Sequence, residues 1–151
     1  MNPISFIFRS VFQLQVRNKS LTELVDAAEK SGNTITTHLA DKRDTPYNRQ
    51  QVRHLIGIER WGQRRLQTLL GEAPLRDEYD SYQPAENLDF AALRTEFTQT
   101  RQATLDLLRT IQQKGVDATG KAYHNGMGDV PVTIWTRYLT MHAEMESKRI
   151  K

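Results

Sequence analysis

Between Pro46 and Leu70 the apolar residues fall on one line of a helix. Val52, Leu55, Ile56, Leu66, Leu69 and Leu70 recur at the spacing that stacks side chains on a single face. His54, Ile58 and Trp61 lie beside that line, at spacings of four and then three. A stripe of this length has to be covered by another of its kind, and three further segments carry one. The first runs from about Ser20 to Lys42, with Ser20 as N-cap and Glu23 closing a capping box. Its stripe is Leu21, Leu24, Val25, Ala28, Ile35 and Leu39, and the run SGNTITT inside it, a poor helix former, bends or breaks it. Another spans about Asp89 to Lys114, with Phe90, Leu93, Phe97, Leu107, Leu108 and Ile111 facing in and Gly115 ending it. The last begins near Pro131 or Val132 and runs to the end.

The intervening stretches read as loops. RDTPYN places Pro46 in a helix's first turn, GEAPLRDEYDSYQPAENL is stopped by Gly71 and prolines, and GVDATGKAYHNGMGDVP is dense in glycine. The run from Asp77 to Tyr82 reads as solvated. Four helices, no repeat and few convincing strands predict an all-α protein, an antiparallel four-helix bundle over residues 20–151. Residues 1–19 stand apart as an N-terminal arm. There Phe6, Phe8, Phe12, Leu14 and Val16 fall on even positions, a period of two that suggests an extended segment packed on the domain or frayed. The run from Ile4 to Phe8 is broken by Arg9, too short for a signal peptide or a bilayer span.

At 151 residues the chain is one ordinary domain, large enough to hold a core without cross-links. It contains no cysteine, which excludes disulfides, thiolate metal sites and a cysteine nucleophile, and fits the cytoplasm. Twenty-one Lys and Arg against eighteen Asp and Glu leave a net charge of +3, with no basic patch interleaved with aromatics, so nucleic acid is not an expected partner.

Bundles build their sites from polar side chains on facing helices. In the last helix Trp135, Tyr138, Leu139, His142, Met145, Glu146 and Arg149 share a face. His142 and Glu146, four apart, are one turn from each other, and His54 of the second helix would complete a set of two imidazoles and a carboxylate if those helices are neighbours. Nitrogen and oxygen ligands of this kind suit zinc, nickel, manganese or ferrous iron, and three of them leave positions open for water or substrate. The spacing serves equally for an exposed pair or a half-buried histidine. His124, in YHNGMG, is a candidate substrate contact or proton shuttle if its loop folds back, and otherwise an exposed loop histidine. His38 sits at the edge of its helix's stripe. Glu59 falls on the apolar line of its own helix and needs a partner, either Arg64 or Arg149, or else a ligand histidine's second nitrogen. Trp61 and Trp135 read as packing residues.

Two stretches carry a resemblance. VRHLIGIERWGQRRL (Val52 to Leu66) is similar to the second helix of the DinB-like superfamily, and WTRYLTMHAEMESKRI to its last helix, in the right order and over roughly Ser20 to the end. The resemblance implies a four-helix bundle, a homodimer, and a divalent metal held by one histidine of the second helix and two of the last. By position these are His54, His142 and Glu146, with glutamate standing where the family usually has its second histidine. Some members transfer a low-molecular-weight thiol to an electrophilic small molecule. The resemblance therefore implies a thiol transferase using zinc or nickel ahead of iron or manganese, its nucleophile arriving with the thiol. The competing expectation is a metal-free bundle that acts by dimerisation or partner binding. A ferrous oxygenase site ranks third.

Overall fold

All four apolar stripes form helices, and they pack on one another as a bundle. The computed structural model describes the backbone of residues 3–151 and side chains from residue 9 onward. The elements are α1 (Pro3–Val16), α2 (Leu21–Ala40), α3 (Pro46–Leu66), α4 (Phe90–Gln113), a hairpin of β1 (Lys121–His124) and β2 (Gly128–Pro131), and α5 (Val132–Ser147).

Local chemistry sets the helix ends. The Ser20 hydroxyl accepts from the Glu23 N–H at 3.2 Å while the Glu23 carboxylate accepts from the Ser20 N–H at 2.7 Å, the capping box expected. Thr45 caps α3 ahead of Pro46, and Asp89 caps α4. Past a 3-10 turn (Gln67–Leu70), Gly71 at φ +101° reverses the chain, a left-handed conformation that glycine adopts without penalty. α2 runs through SGNTITT without a break, contrary to its propensity. The reason is tertiary: Ser31 and Gly32 are buried, and a Cβ at Gly32 would stand 2.6 Å from Arg101 Cγ of α4.

α2 and α3 each pack on both α4 and α5. Glu29 pairs with Arg109 and Thr36 meets Thr98, so α2 and α4 are antiparallel. Trp61 meets Trp135 and His54 meets His142, so α3 and α5 are antiparallel. Arg60 meets Glu96 and Gln63 meets Thr104, so α3 and α4 run the same way, and α2 and α5 do too. Neighbours that run the same way need a long return connection. The 21-residue α3 is roughly 30 Å long, and residues 71–89 travel back along it. That connection stays largely exposed, as a loop should, but it is also docked on α3. The Asp77 carbonyl accepts from Trp61 Nε1 (3.2 Å) and Arg65 (2.8 Å), and the Pro84 carbonyl accepts from Arg53 (3.0 Å). It seats the 3-10 turn Tyr79–Tyr82 on α3, where Gly57 leaves room for Gln83.

Two further expectations fail. The N-terminal segment is helical rather than extended: Phe12 and Val16, four apart, pack on the core, with Phe12 edge-on to Tyr138 at 6.1 Å, while Leu14 is 70% exposed. Its alternation was not a buried face. The side chains of the run from Ile4 to Phe8 lie outside those described. The glycine-rich stretch before α5 is a hairpin, with register His124↔Gly128, closed by the Met127 N–H on the His124 carbonyl and by Gly128 at φ +71°. Its strands are four residues long, too short to show alternation.

The apolar core divides in two. One cluster gathers Val25, Ala28, Trp61, Leu108, Trp135 and Leu139 near the hairpin, and the other Ile35, Leu39, Leu55, Phe97, Ala143 and Ile150 at the far end. Between them lies a polar layer: Ser31 and Gly32 of α2, Glu59 of α3, and Thr100, Arg101 and Thr104 of α4 are all buried. At the far end Asn48 binds both Arg43 and the Lys151 backbone. Among the described residues no helix is long and apolar enough to cross a membrane.

Candidate functional site

His54 projects from α3 and His142 from α5, and the antiparallel packing of those helices brings their rings to 5.2 Å at an angle of 52°. The return connection adds Tyr79, edge-on to His54 at 5.0 Å. Tyr138, one turn before His142, stacks beside it at 5.9 Å. Neither imidazole makes a hydrogen bond to any described residue. Burial lowers the His54 pKa, against the pull of Glu146, and Arg149 adds to the lowering. Burial, then the charges of His54 and Arg149, lowers His142 from its ordinary value to about 4. Both rings are therefore neutral near pH 7, the form a metal ligand requires.

Glu146 follows His142 by one turn and is 8% exposed. Its Oε2 lies 2.9 Å from an Arg149 guanidinium nitrogen, yet receives no hydrogen bond. The contact is one of charge, and the ion pair's geometry falls short of a good hydrogen bond. Beside it opens a cleft of about 550 Å³, lined by His54, Tyr79, Asp80, Gln83, Glu146 and Arg149 among others. The Tyr138 hydroxyl is held protonated, its pKa pushed up to about 12 by burial and then by the charges of Glu146 and Tyr79.

The donor chemistry suits a divalent cation: two neutral imidazoles with free nitrogens and a carboxylate with an orphaned oxygen. The structure brings the two imidazole rings to 5.2 Å of each other. Among the described residues no three histidine, aspartate or glutamate side chains are gathered to hold one ion. Glu146 is instead ion-paired with Arg149, three residues on.

His124 is neither in a free loop nor exposed. Its ring is packed among Trp61 (5.3 Å), Trp135 (5.0 Å) and Tyr138 (4.7 Å). Nδ1 accepts from the Gly126 and Met127 N–H groups at 3.0 and 3.2 Å, which puts the proton on a buried Nε2 that has no partner. Burial, then the charge of Arg65, lowers its pKa to about 4. The Tyr138 ring stands between it and His142.

The expected partners of Glu59 were wrong. It is ion-paired at 2.9 Å with Arg101 of α4 and accepts from the Thr104 hydroxyl at 2.8 Å, while Arg64 binds the Ala73 carbonyl and Arg149 binds Glu146. Burial pushes the Glu59 carboxyl up, against the pull of Arg101 and Thr104. Trp61 and Trp135 are packing residues, their indole N–H groups bound to the Asp77 and Ala122 carbonyls. Met145, assigned to the inner face of the last helix, is 53% exposed. Arg101 was findable, since it continues the stripe Phe90, Leu93, Phe97 at a spacing of four. Tyr79 was not, because a loop residue carries no periodic signal.

Residues 18–145 match the DinB superfamily. The match covers most of the chain, which therefore belongs to that superfamily. No curated protein and no solved structure matches it.

Proposed function

We propose that this member of the DinB superfamily holds a divalent metal ion through His54 and His142, with Glu146 as third ligand, and transfers a low-molecular-weight thiol to an electrophilic small molecule. The observation that carries the metal half is the pair of neutral imidazoles, 5.2 Å apart, that no protein group has claimed. Zinc or nickel accepts two imidazoles and a carboxylate. Glu146 joins when Arg149 releases it, and Arg149, 61% exposed, can turn to solvent or to a carboxylate on the incoming molecule. The thiol half rests on the family resemblance; a chain without cysteine needs its nucleophile brought in.

Bound there, the cation would supply Lewis acidity that lowers the pKa of the thiol. The rest falls to the chain. Tyr79 orients the His54 ring, and the Tyr138 hydroxyl, protonated at any working pH, donates to the electrophile. His124 acts through Tyr138, whose ring it holds in place.

One observation favours the second reading, a metal-free bundle working by dimerisation or partner binding: Arg149 already neutralises Glu146. Elemental analysis of the purified wild type beside His142→Ala, with a thiol-conjugation assay run with and without chelator, separates the two. Stoichiometric metal that disappears in His142→Ala is expected, together with turnover that the chelator abolishes. Equal metal content in both proteins removes the site. Bound metal without turnover removes the transferase and leaves the ion. A metal-free dimer that His54→Ala does not change establishes the second reading.

A further inference from the structure

On the side of α5 away from His142, α2 and α5 flank a separate open cavity of about 550 Å³. Ala27, Ser31, Ile35 and His38 form its α2 wall, and Ser147 and Lys148 stand on the α5 side. Two buried polar atoms in that wall have no hydrogen-bond partner, Ser31 Oγ and His38 Nε2. Ser31 is 7% exposed, so water does not serve its hydroxyl freely. Orphaned groups of this kind are uncommon in folded proteins, and two in one cavity point to a ligand that supplies the missing acceptors.

The spacing says what shape that ligand has. Ser31 and His38 are seven residues apart, hence on one face of α2 and about 10 Å from each other along its axis. Each end carries an ammonium group. Lys30 is next to Ser31, and Lys148 lies at the His38 end, since Ile35 and Leu39 share a core cluster with Ala143 and Ile150. Neither lysine has an ion-pair partner among the described residues. Glu144, the carboxylate lining the cavity, has the Arg137 guanidinium 3.7 Å away as its counter-charge. Between the ends the wall is Ile35 and Thr34, whose hydroxyl is already bound to the Lys30 carbonyl.

We propose that this cavity binds an elongated α,ω-dicarboxylate. One carboxylate accepts from the Ser31 hydroxyl beside Lys30, the other accepts from His38 Nε2 beside Lys148, and the methylene chain lies along Ile35.

Calorimetric titration of the full chain with suberate tests this, with octanoate and succinate as controls for a missing end and a missing span. Saturable suberate binding is expected, with a Kd below about 1 mM. Losing one end's charged hydrogen bond, by Ser31→Ala, by Lys148→Glu or by using octanoate, weakens it about tenfold or more. Succinate, unable to reach both ends, falls with octanoate. Lys148 is exposed, so its variant tests the site without disturbing the fold. No saturation up to about 10 mM suberate overturns the proposal. So does octanoate binding as tightly as suberate, or suberate binding that both variants leave unchanged.

Discussion

Two glutamates point into this molecule, each with an arginine nitrogen at 2.9 Å, and the resemblance ends there. Glu59 lies in the polar layer of the bundle, and its partner Arg101 is 5% exposed at the side chain. Neither group can leave without stranding the other. Glu146 lies at the wall of a cleft, and its partner Arg149 is 61% exposed. That arginine loses little by turning to water. Distance alone does not distinguish a structural carboxylate from one available to a ligand; what distinguishes them is whether the partner has somewhere else to go.

The comparison is broken most directly at Arg101. Arg101→Ala leaves a buried Glu59 uncompensated, and urea denaturation is expected to register a loss of about 3–5 kcal/mol. A loss near zero would mean the pair does not hold the layer together. Acidification probes the cleft and the hairpin beside it. His142 and His124 have folded pKa values lowered from 6.5 to about 4, so their contribution is fully present above 6.5 and lost as pH falls toward 4. In the metal-free protein the unfolding free energy should drop by about 1 kcal/mol per histidine over the first unit below pH 6.5, and stability flat from 6.5 to 5 would contradict their burial. Gly32→Ala presses a methyl group onto Arg101 Cγ, a rigid part of that side chain in its buried setting, and should cost about 1–3 kcal/mol. Arg149→Ala is the smallest, within about 1 kcal/mol by the same denaturation. If it destabilised the fold as much as Arg101→Ala, the two carboxylates would be alike after all. If it also raised metal content above wild type, the contrast would sharpen into a mechanism for freeing Glu146.

Much of the site could be read from the chain because its parts are local. His142 and Glu146 share a face by a spacing of four, and His54 lies on the helix whose stripe is the most regular. What could not be read is how the polar groups are satisfied. Arg149 is close to Glu146 in sequence, yet only the fold buries one and exposes the other. Tyr79 reaches His54 from across a connection of no regular pattern, and His124 is caged by rings drawn from α3 and α5. The N-terminal segment misled because five apolar residues on even positions mimic a strand face, while among the described side chains Phe12 and Val16, one helical turn apart, pack on the core and Leu14 does not.

The chain by itself determined where the helices begin and end and which stripe each buries, since caps, prolines, glycines and the 3.6-residue period act over one or two turns. Tertiary structure alone decided which helices are neighbours, which of them run the same way, and therefore which charges meet. Those outcomes join residues far apart in the chain, such as Glu59 with Arg101 and His54 with His142, and no local rule relates them. They follow from packing all four stripes at once.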